Sequence, residues 1–211
     1  MNNIKKVLVL APHTDDGEIG CGGFINKLIE EKKEVIYCAF SIAEDSVPKG
    51  FEKNILEKEV INATSKLGIK KQNVIINKFP VRKLSYNRQE ILEIMIQLKS
   101  KYNFDLILTP NTNDFHQDHE TICKESIRAF KHLNILGYEL LWNNFKTISN
   151  CSIEISDSNL NSKIKSLMEY KSQYFRSYVT PEYIKSLALV RGVQSGFSLA
   201  ESFEVIKLRI S

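Results

Sequence analysis

The sequence predicts an α/β protein: a Rossmann-like, doubly wound, mostly parallel sheet in a three-layer α/β/α arrangement, with strands ordered 3-2-1-4-5 plus C-terminal additions. Three observations carry that expectation. Short apolar runs alternate with helix-period segments along most of the chain. The runs lack polar alternation, which marks strands covered on both faces. Segments rich in Asp, His and Asn follow the first and fourth runs, where a doubly wound sheet places its ligands.

Taken in order, Lys6–Leu10 (Lys-Val-Leu-Val-Leu) reads as the first strand, and Ile19–Glu31 as a helix with Phe24, Leu28 and Ile29 on one face. Glu34–Ile42 is the second strand. The polar loop Ala43–Gly50 follows it at the same sheet edge, either a lid or a plain surface loop. Phe51–Leu67 reads as a helix stopped by Gly68, and Asn73–Phe79 as the third strand. Asn87–Tyr102 is amphipathic through Ile91, Leu92, Met95, Ile96 and Leu98. Asp105–Thr109 is the fourth strand, closed by Pro110; Thr121–His132 is helical, and Leu140–Asn143 is read as the fifth strand. Beyond Lys146 the rhythm changes. Ser158–Gln173 is helical, Thr180-Pro181 opens another helix, and Phe203–Ile210 alternates like a half-buried strand that could serve self-association. With no repeat, low-complexity tract or linker, residues 1–211 read as one domain.

Composition bounds the function. Among 211 residues, 29 Lys+Arg against 25 Asp+Glu leave a net charge of +4, too mild and scattered for a nucleic-acid track. Clusters such as Lys70–Lys71 and Arg82–Lys83 read as solvated surface. The run Val7–Leu10 is too short for a signal-peptide core, and no stretch approaches the roughly 18 apolar residues of a membrane span. Cys21, Cys38, Cys123 and Cys151 are scattered without a Cys-x-x-Cys pair, so they read as reduced thiols of a cytoplasmic protein. His132 reads as a structural or surface residue, and Trp142 as core in preference to a sugar-stacking platform.

The chemistry lies in two segments: Pro12-His13-Thr14-Asp15-Asp16-Gly17-Glu18 and Pro110-Asn111-Thr112-Asn113-Asp114-Phe115-His116-Gln117-Asp118-His119. Strands 1 and 4 are neighbours in the expected order, so the segments should face each other at the switch point. Together they hold three of the 4 histidines and several carboxylates, a donor set that suits zinc or a similar divalent ion. His13 and Asp16 on one loop and His119 on the other could supply three ligands, which leaves Asp15 free as a base. The plainer reading is that Asp, Asn and His populate turns and caps. Glycine spacing in Gly20-x-Gly22-Gly23 does not fit a dinucleotide fingerprint, and no P-loop or nucleophile-elbow motif is present.

Pro12-His13-x-Asp15-Asp16-x-Glu18 with Gly20-x-Gly22-Gly23 resembles the PIG-L/LmbE-like N-acetylglucosaminyl deacetylase family, and His116-x-Asp118-His119 resembles its second motif. Arg191-Gly192-x-x-x-Gly196-x-x-x-Ala200-Glu201-x-Phe203 is similar to its C-terminal signature, and Tyr170-Lys171-Ser172-Gln173 to the segment before it. The resemblance implies a Zn²⁺ site (Fe²⁺ or Mn²⁺ being alternatives) of His13, Asp16 and His119, with Asp15 as general base. It also implies that His116, backed by Asp118, stabilises the oxyanion or protonates the leaving amine. Glu18, Asp114 and Arg191 are the substrate-contact candidates. Asp114 stands where relatives acting on thiol-precursor glycosides often carry Tyr, and Leu56 where many members carry Arg. The implied substrate is a small N-acetyl amino sugar or its conjugate. The competing readings are a metal hydrolase of another amide and a sugar-binding protein with a structural metal.

Overall fold

The computed structural model describes residues 4–209. One seven-stranded sheet runs in the order β3-β2-β1-β4-β5-β7-β6. Its parallel part comprises β1 (Lys6–His13), β2 (Glu34–Ser41), β3 (Val74–Ile76), β4 (Leu106–Pro110) and β5 (Asn134–Tyr138). The expected 3-2-1-4-5 order is thus found, and β6 (Cys151–Glu154) and β7 (Ala200–Lys207) extend it antiparallel. Two apolar clusters, one on each face, bury Val7, Val9 and Ala11 on one side of β1 and Leu8 and Leu10 on the other. That two-sided burial is the physical reason the strand sequences lack polar alternation.

The helices are α1 (Asp16–Glu30), α2 (Ile55–Lys66), α3 (Arg88–Lys101), α4 (Gln117–Phe130), α5 (Asp157–Leu167) and α6 (Pro181–Ser195). Both chemistry-bearing helices begin earlier than the apolar period suggests. The first residues of α1 and α4 are the polar motifs themselves, whose carboxylates suit a helix N-terminus.

One expectation about the strands is corrected. The fifth strand is Asn134–Tyr138, not Leu140–Asn143, which forms a 3₁₀ turn. Gly137 disguises the strand: a Cβ there would stand 3.0 Å from the Asn111 Cα, a tight approach to the loop after β4 that favours glycine. The short strand β6 has no counterpart among the sequence expectations. Strand β7 lies between β5 and β6, with β6 paired along Ala200–Phe203 and β5 along Phe203–Lys207; Ile210 of the expected strand lies outside the described residues.

Helix α1 is kinked at Cys21 (φ −146°, ψ 27°), which frees the amides of Gly23 and Phe24. Glu201 on β7 accepts both, at 2.9 and 2.7 Å, and pairs with buried Lys163 at 2.6 Å. The C-terminal signature therefore closes the fold onto the helix that carries Asp15 and Asp16. Among the described residues, no helix is long and apolar enough to cross a membrane.

Candidate active site

Parallel pairing of β1 with β4 (Val7↔Leu106, Leu8↔Ile107, Val9↔Leu108) places the His13 segment and the His116 segment side by side at the carboxyl ends of the strands. They meet at the floor of a cleft of about 330 Å³, a volume suited to a small sugar. His13 Nδ1, Asp16 Oδ2 and His119 Nε2 form a near-equilateral triangle with edges of 3.1, 3.3 and 3.3 Å. A tetrahedral zinc with ligands at 2.0–2.1 Å requires donor–donor separations of about 3.3–3.4 Å. This donor set therefore fits such an ion.

The outer nitrogens of both imidazoles are held by carboxylates. His13 Nε2 lies 3.0 Å from Asp118 Oδ2, and His119 Nδ1 lies 2.8 Å from Asp114 Oδ2. That arrangement puts the ring protons on the outside and aims the lone pairs into the triangle. Burial opposes charge on His13, yet Asp16 and the bonds to Asp118 and Asp16 outweigh it and raise the ring to about 9. His119, buried but facing Asp16 and Asp114, is raised to about 10. Asp16 is buried too, but those two imidazoles hold its carboxyl well below the usual range. Such a site binds protons tightly until a cation displaces them.

A wider set, one nitrogen each from His13, His116 and His119, lies within 4.8 Å. The tighter triangle is the better cation site, because its edges match the coordination distances. His116 sits beside it, its ring centroid 4.4 Å from that of His119. It caps α4, with Nδ1 accepting the Asp118 amide at 3.2 Å. Burial and the neighbouring His119 and His13 rings push His116 down to about 4. A neutral ring with Nδ1 occupied as acceptor carries its proton on Nε2.

Asp118 does not back His116. Its carboxylate accepts from His13 Nε2 and from the Arg82 and Leu84 amides at 2.6 and 3.1 Å. The sequence reading is corrected on this point. The N-cap and the second helical residue point their side chains in different directions, and the hydrogen bond between His116 and Asp118 uses the Asp118 backbone amide. Asp15 ends the β1 segment as the N-cap of α1, and its side chain makes no capping bond. Burial and the adjacent Asp16 raise its carboxyl to about 6, against the pull of His13 and Arg176.

None of the three substrate-contact candidates lines the cleft. Glu18 is buried beneath it and bonded to the hydroxyls of Tyr37 and Tyr170. Burial, against those two bonds, holds its carboxyl up at about 8. Asp114 is spent on His119 and on the His116 amide. Arg191 forms a two-pronged buried pair with Glu139 at 2.8 and 2.6 Å. These three motif residues hold the site up rather than face it.

Apart from Gln173 of the Tyr170–Gln173 segment, the walls come from outside the motifs. Ala43 and Ser46 follow β2, Arg82 follows β3, Trp142 and Asn143 follow β5, and Gln173, Arg176 and Tyr178 lie before α6. Trp142, read from sequence as core, packs on the core yet stands in the cleft wall, stacked on Tyr178 at 3.7 Å and 10°. Ala43 and Arg82 adopt left-handed φ values of 45° and 64°, a conformation costly for non-glycine residues. The Arg82–Lys83 pair reads from sequence as solvated surface, and this is corrected for Arg82: it is exposed, but its left-handed backbone turns it into the cleft wall. Arg176 lies three residues beyond the Tyr170–Gln173 segment, outside the motif itself.

The family model described as PIG-L, GlcNAc-PI de-N-acetylase, matches residues 8–131. This chain belongs to that family. It is 25% identical over 230 residues to diacetylchitobiose deacetylase of Thermococcus kodakarensis, covering 97% of this chain and 84% of that one. It superposes with a TM-score of 0.77 at 20% identity on N,N'-diacetylchitobiose deacetylase from Pyrococcus horikoshii, covering 97% of this chain and 85% of the other. A comparable TM-score of 0.76, at 14% identity and covering 99% and 98% of the two chains, relates it to GalB, the 4-carboxy-2-hydroxymuconate hydratase of Pseudomonas putida KT2440. Because a hydratase shares this fold, the fold alone does not select the reaction.

Proposed function

We propose that this chain is a metal-dependent hydrolase that removes the acetyl group from an N-acetylated amino sugar or its conjugate. The observation that carries the reading is the donor triangle of His13, Asp16 and His119, sized for a tetrahedral cation, with the unengaged Asp15 carboxylate next to it. His13, Asp16 and His119 would hold the ion, Zn²⁺ or alternatively Fe²⁺ or Mn²⁺. Such an ion, when bound, lowers the pKa of a water from 15.7 towards ~7 and polarises the amide carbonyl.

Asp15 is the general base. In the metal-free site burial and Asp16 raise its carboxyl to about 6, which leaves it mostly ionised at neutral pH and available to take a proton from the attacking water. The same group then returns that proton to the amide nitrogen as the C–N bond breaks, giving acetate and a free amine. The neutral His116 ring donates its Nε2 proton in a hydrogen bond to the carbonyl oxygen as negative charge grows there. This assigns His116 the oxyanion role, and it leaves the amine's proton to Asp15. Asp114 and Asp118 orient His119 and His13 as positioning residues. Trp142 and Tyr178 supply an aromatic wall on the substrate side. The four free cysteines, three of them buried, support a cytoplasmic setting for this reading.

The experiment pairs metal analysis with an amine-release assay on acetylated amino sugars. His119→Ala should lose the ion and the activity together. Asp15→Asn should keep the ion but lose turnover by about 10²–10⁴-fold. Full metal occupancy in the first variant, or metal loss in the second, would overturn the assignments. Turnover on other amides but not on acetylated sugars would refute the substrate class.

A further inference from the structure

The cleft contains two arginines to which the proposed hydrolysis assigns neither an ion ligand nor a proton transfer, although the charge of Arg176 is felt at Asp15. Arg88 and Arg128 pair with buried Glu125, and Arg191 with Glu139. Arg82 and Arg176 line the cleft, and among the described residues neither has a carboxylate oxygen within 4.0 Å. An unpaired guanidinium is common on open surface. It is less so when the ring is pinned.

Arg176 is pinned from three sides. Its Nε donates to Gln173 Oε1 at 2.6 Å, its Nη1 donates to the Tyr178 hydroxyl, and its guanidinium lies 5.1 and 5.6 Å from the Phe175 and Tyr178 ring centroids. Tyr178 is in turn stacked on Trp142. The Nη2 amino group donates to no protein acceptor among the described residues. The supporting segment is itself anchored, since buried Glu59 accepts the Ser172 amide and hydroxyl at 3.0 and 2.6 Å. Arg82 is held by its backbone, through the Asp118 carboxylate and its left-handed φ, and its Nη2 reaches only Ser46 Oγ at 3.2 Å. Rotamer freedom is thus already restricted before any ligand arrives, which lowers the entropic cost of binding one. A planar fork of donors left open in this way matches a carboxylate or phosphate.

We infer that Arg176, assisted by Arg82, forms an anion subsite, and that the N-acetyl amino sugar taken by this cleft carries a phosphate or carboxylate group. This rests on the deacetylase reading above and narrows its substrate class. The test compares kcat/KM of the metal-loaded enzyme for N-acetylglucosamine 1-phosphate, N-acetylglucosamine 6-phosphate, an N-acetylglucosaminide of a hydroxy acid and the neutral methyl glycoside.

At least one anionic probe should be favoured over the neutral one by about 10- to 100-fold, with the preference falling as salt rises. A phosphate and a carboxylate probe in parallel identify which anion is used. Arg176→Gln should reduce the anionic-to-neutral ratio by about tenfold or more, and Arg176→Lys, which keeps charge but loses the fork, should restore only part of it. Arg82→Gln, at an exposed position, provides the same readout should Arg176 variants fold poorly. A neutral probe used as well as every anionic one, or a ratio unchanged in both Gln variants, overturns the inference. Absence of amine release from every probe would instead refute the deacetylase reading itself.

Discussion

Asp118→Ala separates two views of this site. In the structure the carboxylate orients His13 and does not touch the His116 ring. Removing a carboxylate behind a metal-binding imidazole weakens metal affinity by about 10–100-fold, equivalent to about 1.4–2.7 kcal/mol. The same carboxylate accepts the Arg82 and Leu84 amides, so the variant leaves two donors without their partner. At about 1–3 kcal/mol each, discounted because water can reach the exposed Arg82, the fold should lose about 2–4 kcal/mol. For a chain of 211 residues that lowers Tm by roughly 5–15 °C. Chelator-competition titration gives the metal Kd, and calorimetry of the metal-free protein gives the stability loss. If Asp118→Ala binds metal within about twofold of the parent yet loses turnover, Asp118 acts through His116 and the orientation argument fails.

Three further outcomes follow from the same geometry. In metal-free protein His13 and His119 are raised from 6.5 to about 9 and 10, so their contribution to stability is complete below pH 6.5 and is lost as pH rises through those values. A cation must displace these protons, so the Tm gain on adding Zn²⁺ should grow from pH 6.5 to 9; a flat or falling gain by differential scanning fluorimetry would contradict the triangle as the binding locus. Arg191→Ala strands buried Glu139 and should cost about 3–5 kcal/mol in urea unfolding, while the KM of the folded fraction stays put; a large KM change with intact stability would return Arg191 to substrate binding. Glu201→Ala leaves Lys163 and the Gly23 and Phe24 amides unpaired and should destabilise by a similar amount, and a variant as stable as the parent would refute its role as the clasp of the α1 kink.

The fifth strand shows how legibility fails. Asn134–Tyr138 carries Gly137 because β5 passes under Asn111, and that tertiary demand erases the apolar run by which strands are recognised. Trp142 fails for a different reason. A large aromatic side chain serves a core and a cleft wall equally well, and only its stacking on Tyr178 and its place in the cleft show that it does both. Arg191 and Glu18 sit within family-like motifs, and the motif alone does not say whether a residue faces the ligand or the scaffold.

The sequence by itself determined the order of the parallel strands and the meeting of His13, Asp15, Asp16, His116 and His119. Both follow from local apolar runs and from the rule that neighbouring strands at a switch point bring their following loops together. Tertiary structure alone decided which carboxylate holds which imidazole: Asp118 reaches back 105 residues to His13, not two residues to the His116 ring beside it. It alone also placed Arg82, Arg176 and Trp142 around the cleft. Motif spacing specifies contacts within a turn or two of chain. Partners chosen across the sheet depend on packing at the scale of a hydrogen bond, and no local pattern encodes that.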